Sequence, residues 1–221
     1  VYYRVSADNH KTVESEDPLE FNITKATNSV DYVEAEGWKF SEEPNDIDSG
    51  SSTFGSIQMT IYVGDYSDGK DVTGATTIGS FTNETDAGMY TVRYYVPALQ
   101  SQTDPEQNNY DAVDERYTIE IGQLPVYVTW KHSSFVFDGQ NKTNTITKEE
   151  YMAFGTNDGS GHGYSEEPRT ETAGNVMTMD YSNAGTFYVW IQLTSKNYCW
   201  DTERISDPDV NVDGVWYRAV W

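Results

Sequence analysis

A turn closed by Ala-Gly and followed by alternating apolar residues occurs twice in this chain, and it constrains the fold more than any other feature. The two copies span residues 86–96 and 183–193. With their glycines aligned, each copy places four apolar residues on one face: Tyr90, Val92, Tyr94 and Val96 in the first, and Phe187, Val189, Ile191 and Leu193 in the second. Apolar residues at a period of two predict a half-buried strand. The glycine supplies the positive φ that a tight turn needs.

The surroundings of these strands recur as well. The start of the chain, residues 1–5, matches residues 92–96, and each copy of the strand is followed by an Asn-led pair: Asn9-His10, Asn109-Tyr110 and Asn197-Tyr198. An acidic loop and a closing strand come next, predicted at residues 19–23, 117–121 and 215–221. A period of roughly 100 residues is that of a sandwich domain, and it is too long for a solenoid repeat. We therefore predict complete repeats at 26–122 and 123–221, preceded at 1–25 by the closing hairpin of an earlier repeat.

Composition favours an all-β fold. The 221 residues include 17 Tyr and 6 Trp, and aromatic residues make up 14% of the chain. Aromatic and β-branched residues favour strands, whereas the helix formers Ala and Leu are scarce. The core is predicted to contain the inward residues of the strands, namely Trp38, Tyr90, Val92, Tyr94, Val128, Trp130, Phe187, Val189 and Ile191.

Charge and cysteine content narrow the functional classes. The net charge is −22, which disfavours nucleic acid as a partner because phosphate recognition needs a basic face. It equally disfavours direct contact with anionic membranes. Cys199 is the single cysteine, so no disulfide can form within the chain. We expect Cys199 to be partly buried as a small apolar residue, since a catalytic thiol needs a positioned base.

Several short motifs together give a family resemblance. They are residues 37–40 (Gly-Trp-Lys-Phe), 87–92 (Ala-Gly-Met-Tyr-Thr-Val), 137–140 (Phe-Asp-Gly-Gln), 184–187 (Ala-Gly-Thr-Phe) and 196–200 (Lys-Asn-Tyr-Cys-Trp). In these motifs the chain resembles the Big/YDG-type Ig-like tandem repeats of secreted and wall-anchored bacterial surface proteins, although Phe137 stands where that pattern usually has Tyr. The resemblance implies tandem immunoglobulin-like antiparallel β-sandwiches, an extracellular location, and a stalk or adhesion role without catalysis. Its implied partners are neighbouring Ig-like repeats of the same polypeptide and a host glycan or surface protein.

Catalytic chemistry has little support in the sequence. The three histidines, His10, His132 and His162, occupy unmatched positions, and no metal-ligand cluster has a recognised spacing. We therefore predict no catalytic residues, no cofactor site and no metal site, and a protein that is not an enzyme. Calcium is the nearest alternative, at the acidic turns 65–71 and 207–213, but neither has the EF-hand spacing. Solvated acidic turns are the favoured interpretation.

Carbohydrate binding gives the alternative function, that of an accessory module of a glycan-degrading enzyme. Tyr95, Tyr188 and Trp190 are predicted on the strand faces opposite the core, where aromatic rings could stack on sugars. An intramolecular isopeptide bond from Lys25, Lys39 or Lys131 is disfavoured, because the closing strand 117–121 has no Asn and only Asn211 lies near the second closing strand.

The hairpin at 1–25 would expose apolar side chains if it stood alone. Tyr3, Leu19, Phe21 and Ile23 each forfeit roughly 1.5–3 kcal/mol when left in water. We therefore expect these residues to be covered, either by residues 26–122 or by a second molecule.

Overall fold

The computed structural model describes residues 4–5, 8–9, 11–14, 22–99, 109–127, 136–156, 170–172, 176–181, 188–204 and 216–220. Within these ranges all regular secondary structure is β-strand, which confirms the all-β prediction. The strands are β1 Arg4–Val5, β2 Val13–Glu14, β3 Val30–Asp31, β4 Trp38–Lys39, β5 Ser51–Ser52, β6 Gln58–Val63, β7 Thr77–Ile78, β8 Gly88–Val96, β9 Val113–Gly122, β10 Leu124–Val126, β11 Lys142–Thr147, β12 Met152–Thr156, β13 Thr170–Thr172, β14 Val176–Tyr181, β15 Tyr188–Leu193, β16 Tyr198–Trp200 and β17 Trp216–Val220.

The two strands predicted from the Ala-Gly motif lie inside their sheets. β8 is the middle strand of a five-stranded sheet with the order β4-β9-β8-β6-β7. β15 lies between β12 and β17 in a four-stranded sheet of order β13-β12-β15-β17, in which every pair is antiparallel. Gly88 has a φ of 151°, in the region that favours glycine. The first copy is therefore a turn leading into a central strand, as predicted, and the second copy also supplies an inner strand, although its turn at 183–187 lies outside the described residues.

All four residues on the predicted inward face of β8 are buried, and Thr91 between them is buried as well. The four are Tyr90, Val92, Tyr94 and Val96, and the neighbouring strand β9 adds Ile119 and Ile121. Tyr32 stacks on Tyr94 with ring centroids 4.5 Å apart. Of the predicted core, Trp38, Tyr90, Val92, Tyr94 and Ile191 are confirmed as buried. Val128, Trp130 and Phe187 lie outside the described residues, as does the side chain of Val189.

Two strand pairs are parallel, which the antiparallel prediction missed. β4 pairs with β9 in parallel, and β10 pairs with β16 in parallel. Only Gln123 separates β9 from β10, so the chain leaves the five-stranded sheet and starts a new pairing within one residue. The remaining two-stranded pairs β1-β2, β3-β5 and β11-β14 are antiparallel.

The first strand pairs with residues that the predicted hairpin did not use. Arg4 faces Glu14 and Val5 faces Val13, so β2 is its described partner, and residues 19–21 of the predicted partner strand lie outside the described residues. Asn9 turns the chain with a φ of 66°, a conformation that Asn tolerates better than most residues. This early turn brings Val13 opposite Val5. Ile23 is 90% exposed in the single chain, so residues 26–122 do not cover it, and its coverage by a second molecule stays a prediction. Tyr3, Leu19 and Phe21 lie outside the described residues.

The chain divides into two compact units. The first contains Val1–Val33, Ser49–Met59 and Arg93–Glu115, and the second contains Glu34–Asp48, Thr60–Val92 and Arg116–Trp221. The division into 1–25, 26–122 and 123–221 stays a prediction. The second unit holds residues from both sides of the predicted boundary at Gln123, and the candidate site lies there.

Candidate functional site

A hydrogen-bonded polar cluster of the second unit surrounds Asn197, at the boundary between the two predicted repeats. We call this region the joint, and it consists of Phe40, the loop 86–87, Gln123, Leu124, Tyr151 and the turn 195–198. Residues before Gln123 belong to the first predicted repeat, and residues after it belong to the second. The joint therefore connects segments that are far apart in the sequence.

Asn197 is 8% exposed, and its polar groups are paired with both predicted repeats. Its side-chain oxygen accepts the N–H of Ala87 at 2.8 Å, and its amide nitrogen donates to Oδ1 of Asp86 at 2.8 Å. Its backbone carbonyl accepts the N–H of Leu124 at 2.8 Å. A buried amide is costly unless it is hydrogen-bonded, and here both ends of the amide have partners. The side chain can therefore lie in only one orientation.

Asp86 receives a second donor from the same turn. Nζ of Lys196 lies 3.0 Å from Oδ2 of Asp86, and both side chains are more than half exposed. The hydrogen bond from Asn197, followed by the contact with Lys196, holds the pKa of Asp86 below its usual range. Both carboxylate oxygens of Asp86 are thus occupied by residues of the second predicted repeat.

The linker itself is tied to the same turn. Nε2 of Gln123 donates to the carbonyls of Lys196 at 2.9 Å and of Tyr198 at 3.2 Å. The next residues form β10, in which Leu124 is opposite Tyr198 and Val126 is opposite Trp200. Gln123 and the strand that follows it are therefore both hydrogen-bonded to residues 196–200.

Contacts between aromatic rings add to the hydrogen bonds of the joint. Tyr198 stacks on Tyr151 with centroids 3.9 Å apart and planes 14° from parallel. Phe40 meets Tyr198 edge to face at 5.4 Å. The Phe40 N–H donates to the carbonyl of Gly122 at 2.8 Å, which fixes this ring beside the linker. Such aromatic pairs add roughly 0.5–1.5 kcal/mol each beyond the area they bury.

A turn of the same composition lies in the first compact unit, at Asn109-Tyr110. The N–H of Ala26 donates to the carbonyl of Asn109 at 2.8 Å, as Leu124 does to Asn197. Tyr110 stacks on Phe54 at 5.6 Å, as Tyr198 does on Tyr151. The difference lies in the asparagine, because Asn109 is exposed.

The predicted acidic turn at 65–71 is held by the protein's own donors. Lys70 and Ser67 donate to the carboxylate of Asp65 at 2.8 and 2.6 Å, and they hold its pKa far below the usual range. Asp71 accepts the N–H of Thr73, and Asp68 adopts a φ of 58° within the turn. Within the described ranges no group of three or more His, Cys, Asp or Glu side chains is placed to hold a metal. The second acidic turn, with Asp207, Asp209 and Asp213, lies outside those ranges, as do His10, His132 and His162.

The candidate sugar-stacking and cross-linking residues are only partly described. Tyr95 is half-buried, and the guanidinium of Arg93 lies 4.6 Å above its ring. The side chains of Tyr188 and Trp190 lie outside the description, as do Lys131 and Asn211. Nζ of Lys25 pairs with Asp111 at 2.7 Å.

Cys199 is half-buried, as predicted. Burial, the largest effect on this thiol, raises its pKa, which makes the thiol less reactive at neutral pH.

Comparison of the chain with protein-family models, with curated proteins and with solved structures found no match. In the part of the chain that is described, no helix is long and apolar enough to cross a membrane. The sequence had shown that the Asn-Tyr pair recurs, but it did not indicate the partner of Asn197. Asp86 is 111 positions away and is one of 36 acidic residues, so no local pattern marks it.

Proposed function

We propose that this chain is a non-catalytic spacer segment of a secreted or cell-surface bacterial protein, built from consecutive Ig-like β-sandwich repeats held in a fixed orientation. The observation that carries the proposal is the joint. Its central residue, Asn197, is buried and hydrogen-bonded to the first predicted repeat through two side-chain bonds. A stalk or adhesin needs such joints because it must hold a distant domain away from the cell.

The linker geometry supports stiffness. Consecutive domains move relative to each other by default unless their interface restrains them. Here the linker is the single residue Gln123, and its side chain donates to two carbonyls of the adjoining turn. Tyr198, in ring contact with both Phe40 and Tyr151, adds a second restraint.

Matched contacts support the repeat interpretation. The pairs Ala26–Asn109 and Leu124–Asn197 make the same backbone bond, and the pairs Phe54–Tyr110 and Tyr151–Tyr198 make the same ring stack. Corresponding partners are 97 or 98 positions apart at their first members and 88 apart at their second, by subtraction of residue numbers. Two copies of one sandwich, differing in loop length, account for this agreement.

The test is a distance distribution between spin labels across the joint. Thr77 and Glu149 are both exposed, and they lie in the first and the second predicted repeat. Each is replaced by a cysteine that carries a label, in a chain whose own thiol is removed by Cys199→Ser. A control pair at Glu36, two residues before the edge strand β4, and Thr77, in the opposite edge strand β7, gives the width expected without any joint. We expect the two distributions to be equally narrow. A cross-joint distribution several times broader than the control would overturn the proposal.

A further inference from the structure

We propose that Asp86 and the turn Lys196-Asn197 form a recognition site between repeats, which we call the key. The charge of the residue at position 196 determines whether the following repeat can be held rigidly against the loop that carries Asp86. This inference rests on the proposed function and names the partner of the joint. The partner is a repeat whose Asn-led turn presents a cation, or at least no anion, beside the carboxylate of Asp86.

Asn197 alone cannot provide this selection, although it is required. Its amide donates to Asp86 and accepts from Ala87, so only a side chain with both a donor and an acceptor fits. The residue is the same in all three predicted turns, because Asn9, Asn109 and Asn197 occupy the same place in the motif. A position that does not vary among the turns cannot tell one repeat from another.

The preceding residue does vary. It is Asp8 before Asn9, Asn108 before Asn109 and Lys196 before Asn197. At position 196 the side chain lies 3.0 Å from Oδ2 of Asp86. An aspartate there would replace this attraction by repulsion between two carboxylates, at a longer distance because its side chain is shorter. The loop also differs, because Asp86 in the first Ala-Gly turn corresponds to Asn183 in the second.

Reversing the charge at position 196 therefore combines the loss of an attraction with the gain of a repulsion of similar size. An exposed ion pair such as Lys196–Asp86 adds little stability by itself. Rejecting a wrong partner through an uncompensated like charge is an effective route to specificity. The combination of Asp86 with an acidic turn is thus disfavoured, and the order of the repeats along the polypeptide is constrained.

The test reverses the charge in the full chain and follows amide exchange at Ala87, whose N–H bonds to Asn197. Lys196→Asp should raise the exchange rate of Ala87 about tenfold and broaden the label distribution between Thr77 and Glu149. Adding Asp86→Asn should recover at least a third of the lost protection, since the new amide can donate to the aspartate at 196. Lys11→Asp, the same charge change at an exposed residue, should leave both readouts unchanged.

The outcomes distinguish a failure of the key from a failure of the proposed spacer function. If Lys196→Asp leaves Ala87 exchange within twofold of the unsubstituted chain, or if Asp86→Asn gives no recovery, the key is wrong while the stiff spacer stands. A broad distribution of distances between the labels, in the chain with Lys196 and Asp86 unchanged, would instead contradict the proposed function on which the key rests.

Discussion

The turns at Asn109-Tyr110 and Asn197-Tyr198 have the same residues and share one backbone bond and one ring stack, yet only the second holds its asparagine in a buried site. In both turns the asparagine carbonyl accepts a backbone N–H, from Ala26 or Leu124, at 2.8 Å. In both, the tyrosine stacks on another ring. Asn109 is exposed, whereas Asn197 is 8% exposed.

The different burial of the two asparagines shows which contacts of the Asn-Tyr turn belong to its own predicted repeat and which belong to the joint. The backbone bond and the ring stack occur in both places, and each joins residues of one predicted repeat, so they do not depend on a neighbouring repeat. The side-chain bonds of Asn197 to Asp86 and Ala87 depend on a loop from the other predicted repeat. The same substitution made at each of the two turns should therefore change the free energy of unfolding by different amounts wherever the joint contributes.

The largest difference is expected for the tyrosines. Tyr198→Ala should cost about 2–4 kcal/mol of unfolding free energy, because it removes two ring contacts and the burial of a large side chain. Tyr110→Ala should cost about 1–2 kcal/mol, since its stack on Phe54 is longer. Denaturant unfolding of the two variants measures both values. Equal losses would mean that Phe40 adds nothing to the packing of Tyr198.

The asparagines should differ next. Asn197→Ala leaves the N–H of Ala87 without its acceptor in a buried position, which should cost about 1–3 kcal/mol. Asn109→Ala changes an exposed side chain and should stay within about 0.5 kcal/mol of the unsubstituted chain. Comparable melting temperatures for the two variants would show that the bonds of Asn197 do not stabilise the joint.

Acid should loosen the joint by a smaller amount. The pKa of Asp86 is lowered in the folded chain, chiefly by the hydrogen bond from Asn197. A carboxylate with a lowered pKa contributes stability above its unfolded pKa of about 4, and loses it as the pH falls through the folded pKa. The exchange protection of Ala87, corrected for intrinsic rates, should therefore decline below pH ~4. Asp86→Asn should remove this decline, and a decline that persists in that variant would assign it to another group.

The smallest effects are expected for the lysines. Lys196→Gln and Lys25→Gln each remove one exposed ion pair, to Asp86 and to Asp111, and each should cost about 0–1 kcal/mol. Raising the salt concentration should reduce both losses. A loss above 2 kcal/mol for Lys196→Gln alone would show that the attraction at Asp86 exceeds that of an exposed ion pair.

Much of the sheet structure could be predicted from the sequence, because the apolar period along β8 is local information. Tyr90, Val92 and Tyr94 are two residues apart, and their burial follows directly from that spacing. The N-terminal pairing was missed because Asn9 takes a positive φ and closes a shorter hairpin. Both parallel pairs were missed, since nothing local distinguishes a parallel strand from an antiparallel one.

The joint could not be predicted because its bonds connect distant residues of ordinary type. The Asn197-Tyr198 pair was visible as a recurring motif, but the sequence did not show that Asn197 would be buried. Only the fold brings Asp86 and Ala87 beside it. The single-residue linker at Gln123 is the one sequence feature that could have indicated a restrained boundary.

Residual dipolar couplings test the stiffness of the joint most directly. The amides of β8 and β9 lie in the first predicted repeat, and those of β15 and β16 lie in the second, so each set is large enough to define an alignment tensor. If the joint fixes the two repeats, one alignment tensor fits both sets of couplings in the unsubstituted chain. Two tensors of clearly different magnitude would mean that the repeats reorient independently, which would contradict the proposed spacer.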